Sequence, residues 1–200
     1  YTKGNIKLLN SIGFAIVGSR TNTQYGEKMC KTFTKKLVEY EFTIISGLAI
    51  GIDAIAHKTC IKYSGKTIAV LPSSIDEIVP LSNKKLAGQI LQTGGLIISE
   101  YEPRMTIANW HFVKRNRIIA GLSFATVVVE APAGSGALIT VDFALENGRD
   151  VYFHKVCFSD NAKQIASIVK NQLETDFNNG KVSKYKKENT VEKYLEAGAP

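Results

Sequence analysis

The sequence is poor in the features that mark several common classes of protein. Its three cysteines, Cys30, Cys60 and Cys157, are widely spaced and odd in number. That argues against a disulfide framework or a zinc site and favours a reducing, cytoplasmic compartment. There is no apolar run of about eighteen residues, so we expect no transmembrane helix. No basic N-terminal segment is followed by a short apolar one, so we expect no secretory signal. Because position 1 is not methionine, we expect the natural protein to extend further.

Motifs of familiar enzymes are also missing. Gly65-Lys66-Thr67 has the letters that end a P-loop, but Cys60 stands where its first glycine must be. The chain has no G-x-S-x-G turn and no H-E-x-x-H pair. Asp53 and His57 have the spacing of a metal pair but no evident third ligand, so we favour a packed histidine. We therefore expect a protein without catalytic residues, metal or cofactor.

What the sequence does have is a regular alternation of short apolar runs and helical stretches. The runs are almost continuously hydrophobic, which is typical of strands buried on both faces of a parallel sheet. With 44% hydrophobic residues among 200, the chain can form one well-packed domain. We expect an α/β fold with a doubly wound, mostly parallel sheet. The predicted strands are Phe14–Val17, Phe42–Ile45, Thr67–Leu71, Leu96–Ile98, Thr126–Val129 and Val151–Phe153.

Helices are predicted between these strands. Met29, Phe33 and Leu37 repeat at a spacing of four residues and form one apolar stripe. Further helices are expected over Asp53–Ser64, Asn83–Gln92 and Ala137–Asn147.

The pattern weakens after residue 160. Ile165, Ile168, Val169 and Leu173 predict one more helix, and the lysine-rich segment Asn178–Asn189 is expected to be a mobile, solvated loop or tail. We expect residues 1–160 to form the Rossmann-like binding domain and residues 161–200 its C-terminal helix and basic tail.

Two loops that follow predicted strands contain candidate anion-binding residues. In the first, Ser19 and Arg20 follow a glycine, and the amides of the turn can meet an anion at a helix start. Arg20 adds a planar guanidinium suited to phosphate, although pairing with a surface carboxylate is the alternative. In the second, Gly47 and Gly51 expose backbone amides, and Asp53 is placed to cap the next helix.

The segment Asn109–Arg117 is richer in charge. Its cations are Lys114, Arg115 and Arg117, and they alternate with Trp110 and Phe112. Cations that neutralise phosphates and rings that stack on bases suit a single nucleic-acid strand. The residues alone leave open a second interpretation, in which the two rings hold this loop on the core and the cations are solvated. The net charge of +7 is consistent with a polyanionic partner.

A third glycine-rich turn follows the fifth predicted strand. Gly134, Ser135 and Gly136 open a helix there, and their amides could hold a phosphate. A small-residue turn required for tight packing explains the same letters. The sequence leaves both interpretations open.

Taken in order, these segments resemble the DprA/Smf family of DNA-processing proteins. The match spans roughly residues 1 to 152, and several motifs in a fixed order are more specific than any one alone. The matching segments are Ala15–Arg20, Ser46–Ala49, Gly51–Asp53 with His57, Ala69–Leu71 with Asp76, Pro80 and Asn83, Ser99–Glu100, Arg115–Ser123, and Ser135–Gly136 with Leu138–Thr140.

The resemblance implies an extended Rossmann-like domain that binds single-stranded DNA in a basic pocket without catalysis. It also implies a homodimer that loads the RecA recombinase during natural transformation. Phe112 is where the family places a ring that stacks on a base. The residues expected to contact DNA are Ser19, Arg20, Gly47, Gly51, Phe112, Lys114, Arg115, Arg117, Ser135 and Gly136.

A nucleotide-processing enzyme is the competing interpretation. Lysine-decarboxylase-like phosphoribohydrolases share this Rossmann variant and have a P-G-G-x-G-T-x-x-E loop, which lines up with residues 132–140. Thr140 stands where the acid should be, and a hydroxyl cannot serve as that carboxylate in acid–base chemistry. A protein that binds a small nucleotide without turnover is a third possibility.

Overall fold

The structure is a computed structural model that describes residues 1–158 and 160–196. It contains seven strands and eight α-helices within those ranges. The strands are β1 Thr2–Gly4, β2 Gly13–Val17, β3 Thr43–Ser46, β4 Thr67–Val70, β5 Leu96–Ile98, β6 Ala125–Val128 and β7 Asp150–Phe153. The helices are α1 Gln24–Glu39, α2 Ile52–Lys62, α3 Lys84–Gln92, α4 Asn109–Leu122, α5 Gly136–Glu146, α6 Asp160–Asn178, α7 Lys184–Glu188 and α8 Val191–Glu196.

One sheet of order β1-β5-β4-β3-β2-β6-β7 contains all these strands. The six strands predicted from the sequence are parallel to one another, which confirms the doubly wound, mostly parallel sheet. The first strand was missed. Thr2–Gly4 pairs antiparallel with Leu96–Ile98 at the edge of the sheet, and all three of its residues are exposed, so no hydrophobic pattern marks it.

Alternate residues of the central strands face opposite helical layers, as the period of a strand requires. Ile16 and Ile44 pack with residues of α1 and α2, including Cys30 and Ile52. Ala15, Val17 and Ile45 belong to the cluster on the other face, together with residues of α4, α5 and α8. The sheet is therefore covered on both faces, which explains why its strands are almost continuously apolar.

Two segments differ from the sequence-based prediction. Asn109–Arg117 was expected as a loop but forms the first turns of α4, because its buried residues recur at helical spacing at His111, Arg115 and Ile119.

The segment Asn178–Asn189 was expected as a mobile tail. It contains α7 and packs against the domain, since Asn189 is only 1% exposed. The predicted helix of the C-terminal region is α6, in which Leu173 is buried, and the side chain of Ile165 lies outside the described residues.

No helix in the described ranges combines the length and apolar character that crossing a bilayer requires.

Candidate functional site

The loops that follow β2, β3 and β6 meet at one edge of the sheet. The chain runs outward from β2 to β5 and returns through α4 to β6, so the neighbours β2 and β6 form the point where strand order reverses. Ligands of open α/β sheets bind at such a crevice. The Ser19 amide donates to the Glu130 carbonyl at 2.6 Å and joins the two loops across it.

A cleft of about 830 Å³ opens at this crevice, between the loops after β2 and β6 and one side of α4. It brings together six of the ten residues predicted from the sequence, which are Ser19, Arg20, Phe112, Arg115, Ser135 and Gly136. The other four, Gly47, Gly51, Lys114 and Arg117, do not line it.

Arg20 and Phe112 form the exposed part of the cleft. The guanidinium of Arg20 lies 5.4 Å from the centre of the Phe112 ring, close enough for a cation–π interaction. Phe112 is half-buried and Arg20 is exposed. Among the described residues, no carboxylate lies within ion-pair distance of Arg20, so its alternative role as the partner of a surface acid has no support.

Arg115 occupies a different place from the other cations. It is only 3% exposed, and its guanidinium donates to the carbonyls of Gly47, at 2.5 Å, and Val70. Burial lowers the pKa of Arg115 to about 10, and the Asp53 carboxylate partly opposes that shift. A side chain at Gly47 would collide with the guanidinium, so this glycine is required by the close approach of Arg115. Arg115 therefore supports the site from behind.

Asp53 orders the glycine loop and does not cap α2, contrary to the sequence-based expectation. Its carboxylate accepts from the amides of Gly47, at 3.2 Å, and Ala49, at 3.4 Å. The N-cap of α2 is Gly51, without a side-chain hydrogen bond. Burial raises the pKa of Asp53, and Arg115 and the two amides partly oppose the rise.

Gly51 contributes to the site through its backbone. Its φ of +80° is in the region that favours glycine, and a side chain there would collide with the Ser19 carbonyl. That carbonyl also accepts from the Ile52 amide at 3.1 Å. The loops after β2 and β3 are thus fixed against each other, with Gly51 behind the cleft wall.

Lys114 and Arg117 lie on a neighbouring face of α4 and share one carboxylate. Lys114 is 3.9 Å from the Glu100 carboxylate, and Arg117 forms an ion pair with the same oxygen. The Lys114 amine also lies 5.6 Å from the centre of the Trp110 ring.

The anchor of this part of α4 is His111 rather than Trp110. His111 is buried and stacks on Tyr101 at 4.2 Å, whereas Trp110 is 53% exposed. Trp110 therefore does not hold this segment on the core, as the second interpretation of the sequence would require.

The start of α1 is occupied by a carboxylate of the protein itself. Glu130 is buried and accepts from the Thr23 amide, at 3.1 and 3.2 Å, and from the Thr23 hydroxyl at 3.0 Å. A carboxylate of the chain itself therefore lies at the helix start where the sequence predicted a bound anion.

The start of α5 offers fewer amides than the sequence suggested. The Gly134 amide donates to the Asn189 carbonyl at 2.7 Å, and the Ser135 amide donates to the Pro132 carbonyl at 3.1 Å. The Ser135 hydroxyl caps α5 by accepting from Ala137. Of the three predicted amides, only that of Gly136 lacks a protein acceptor in the described part of the chain. A full phosphate cradle is therefore not formed here.

His57 is fully buried, and its Nδ1 lies 2.7 Å from the Thr67 hydroxyl. Burial lowers its pKa to about 3, so the ring is neutral at physiological pH. Within residues 1–158 and 160–196, no three His, Cys, Asp or Glu side chains cluster as metal ligands.

Several residues of the site escaped the sequence analysis. Asn116 joins α4 to α5 by donating to the Gly136 carbonyl at 3.1 Å, and Glu100 pairs with two predicted cations. Lys186 and Ser183 reach the cleft from the C-terminal segment. Asn116 and Glu100 lie within segments that carry the family resemblance, but the sequence does not show which residues they contact. Nothing in the sequence distinguished Lys186 from its neighbouring lysines.

Comparison with known proteins identifies the family. The model of the DNA recombination-mediator protein A family matches residues 1–183. The chain belongs to this family. The match continues past residue 152, where the sequence motifs end, and so includes α6.

Individual members of the recombination-mediator family are similar in sequence and structure. Protein Smf of Escherichia coli is 41% identical over 152 residues, which are 76% of this chain and 41% of that protein. The DNA processing protein A of Streptococcus pneumoniae superposes with a TM-score of 0.75 and 39% identity, over 86% of this chain and 60% of that one.

A third relative bears on the ligand. The DNA processing protein A of Helicobacter pylori, known for a single-stranded DNA binding mode, superposes with a TM-score of 0.73 and 28% identity, over 90% of this chain and 86% of that one. The chain spans between 35% and 56% of the length of the curated Smf and DprA relatives.

Proposed function

We propose that this chain binds single-stranded DNA in the cleft, without catalysis, as the Rossmann-like core of a DNA-processing protein. The observation that supports this most directly is the Arg20 guanidinium, which lies over the half-buried Phe112 ring and has no carboxylate within ion-pair distance among the described residues. A cation beside an accessible ring suits a strand whose phosphates need neutralising and whose bases expose a flat face. The Helicobacter pylori relative and its single-stranded DNA binding mode support the same ligand.

The charges around the cleft favour a polyanion. Arg20 and Lys186 line it with exposed side chains, Arg115 lies buried behind them, and Asp53 is the single carboxylate among the described lining residues. Asp53 is buried and accepts from two amides, so it presents little negative surface. The same arrangement supports a non-catalytic role, because an exposed carboxylate suited to proton transfer is missing from the described lining.

The proposal includes two protein partners, a second copy of the chain and the RecA recombinase. Membership of a recombination-mediator family supports a recombinase as partner. Light scattering should give the mass of a dimer, and the chain should speed the loading of RecA onto single strands.

A reducing, cytoplasmic location is supported by the three cysteines, which are unpaired. Burial raises the pKa of each thiol to about 12.

The test of the ligand is a titration with fluorescent oligothymidine against a duplex of equal length. The chain should bind the single strand more tightly, because a duplex hides the base faces that Phe112 would contact. Equal or tighter binding of the duplex would contradict the proposal. Incubation with nucleoside monophosphates separates the competing interpretation, since hydrolysis or a thermal shift would indicate a nucleotide ligand instead.

A further inference from the structure

The C-terminal segment 183–189 is attached to the start of α5. The Asn189 carbonyl accepts from the Gly134 amide at 2.7 Å, and the Asn189 side chain accepts from the Tyr194 hydroxyl at 2.6 Å. Tyr194 and Val191 are buried in the same core cluster as Leu138. Because hydrogen bonds and apolar burial both hold this segment, it is a fixed part of the domain.

Gly134 shows how closely the segment approaches. Its φ is +66°, and a Cβ at this position would lie 2.9 Å from the Lys186 carbonyl oxygen. The main chain of α7 therefore passes directly over the turn that opens α5. As a result Ser183, Lys186 and Asn189 line the cleft together with Arg20 and Phe112.

The lysines of this segment are not equivalent. Lys184 lies 3.7 Å from the Glu188 carboxylate, and Lys187 lies 3.1 Å from that of Glu174. Lys187 also lies 4.5 Å from the centre of the Phe177 ring. Lys186 is exposed, and among the residues the structure describes no carboxylate is within ion-pair distance of its amine. It is the α7 lysine that both lines the cleft and keeps its charge uncompensated.

We propose that Lys186 is a phosphate-binding residue of the cleft, contributed by a segment beyond residue 183, where the match to the family model ends. This inference rests on the proposed binding of single-stranded DNA. Lys186 and Arg20 are cations contributed by different parts of the chain to one cleft. A strand bound between them would therefore have its backbone neutralised from both walls.

The experiment compares Lys186→Ala with Lys184→Ala in the whole chain, by oligothymidine titration over a range of salt concentrations. One lost phosphate contact on a single strand should reduce the slope of log affinity against log salt by roughly 0.7. Near 0.1 M salt that corresponds to roughly fivefold weaker binding for Lys186→Ala. Lys184→Ala removes the same charge from the same short helix and should leave the slope unchanged. Lys186→Arg should restore it.

The outcomes separate this inference from the function on which it rests. If the wild-type chain binds oligothymidine and Lys186→Ala binds with the same slope, Lys186 is not a contact while the proposed function stands. Equal losses in the Lys186 and Lys184 variants would indicate a general charge effect and would also overturn the assignment. Failure of the wild-type chain to bind would overturn both. Melting curves of the variants should coincide with that of the wild type, because both side chains are exposed.

Discussion

At the scale of single residues, the cations near the cleft differ in what already surrounds them. Arg20 and Lys186 face the cleft without a carboxylate within ion-pair distance among the described residues. Lys114 and Arg117 share Glu100, and Arg115 is buried against backbone carbonyls. Since a phosphate must compete with any existing partner, we expect Arg20 to contribute more to binding than Lys114 or Arg117.

Phe112 provides the first residue-scale prediction. Its ring is half-buried beneath Arg20, so Phe112→Ala should weaken oligothymidine binding by about 1–3 kcal/mol through lost stacking. The loss of folding stability should stay well below the roughly 3–5 kcal/mol typical of a core phenylalanine. Phe124→Ala is the control, because that exposed ring lies immediately before β6, at the amino end of the strand, whereas the cleft lies at the carboxyl ends. A large fall in melting temperature, or unchanged affinity, would remove Phe112 from the site.

A second prediction at the residue scale concerns the Glu100 carboxylate. If Lys114 and Arg117 contact phosphates, Glu100→Gln should tighten binding, because it releases both cations from their carboxylate. A gain of roughly two- to fivefold is expected for losing competition from a partly exposed ion pair. Glu102→Gln removes the same charge two positions away and controls for net charge. Equal titration curves for the two variants would show that the strand does not reach this face of α4.

At the scale of elements, the glycine loop after β3 depends on two buried charged side chains, Arg115 and Asp53. Arg115 of α4 donates to the carbonyls of Gly47 and Val70, while Asp53 of α2 accepts from the amides of Gly47 and Ala49. The two side chains therefore hold the loop from opposite sides of its peptide groups. Both are buried, so each depends on its hydrogen bonds to the backbone in place of water.

Arg115→Met should consequently destabilise the fold. It leaves the buried carbonyls of Gly47 and Val70 without their donor, and an acceptor left unsatisfied in the interior costs about 1–3 kcal/mol. Denaturant unfolding measures the change, and Arg149→Met, at an exposed arginine after α5, is the matched control. If both variants unfold at the same midpoint, the buried network does not stabilise the loop.

His57 in α2 predicts how stability depends on pH. Its folded pKa, about 3, lies below the usual 6.5, so the unfolded chain takes up a proton first as pH falls. Stability should decline between those values, by at most about 1.4 kcal/mol per pH unit from this residue. The raised pKa of Asp53 acts in the opposite direction, because there the folded state gains the proton first. His57→Asn should therefore lose less stability than the wild type between pH 7 and pH 5, and identical losses would contradict the assignment.

At the scale of the whole molecule, binding should be electrostatic and indifferent to sequence. Phosphate contacts at Arg20 and Lys186 alone would give a slope of log affinity against log salt of roughly −1.4 on a single strand, and further contacts at Lys114 and Arg117 would bring it to roughly −3. Oligomers of different base composition should bind with similar affinity, because stacking on Phe112 accepts any base. A slope near zero, or strong preference for one composition, would indicate recognition of a small nucleotide or of specific base edges.

The sequence by itself determined the order of the elements and the family. Strands buried on both faces have an apolar pattern, so β2 to β7 were predicted nearly to the residue, and the motifs that end these strands are local in the chain. Thr2–Gly4 was missed because an exposed edge strand has no such pattern. Asn109–Arg117 was taken for a loop because its charges hid buried positions at helical spacing.

Only the tertiary structure decided which charges remain available to a ligand. Residue type does not distinguish the cations Arg20, Lys114, Arg115 and Arg117 from one another. Their partners come from distant segments of the chain. Glu100 follows β5, and Gly47 and Val70 follow or end other strands. Likewise, Lys186 lines the cleft because α8 packs against α5, and this packing places α7 against Gly134. Such pairings depend on chain reversals between distant segments, which local sequence patterns do not encode.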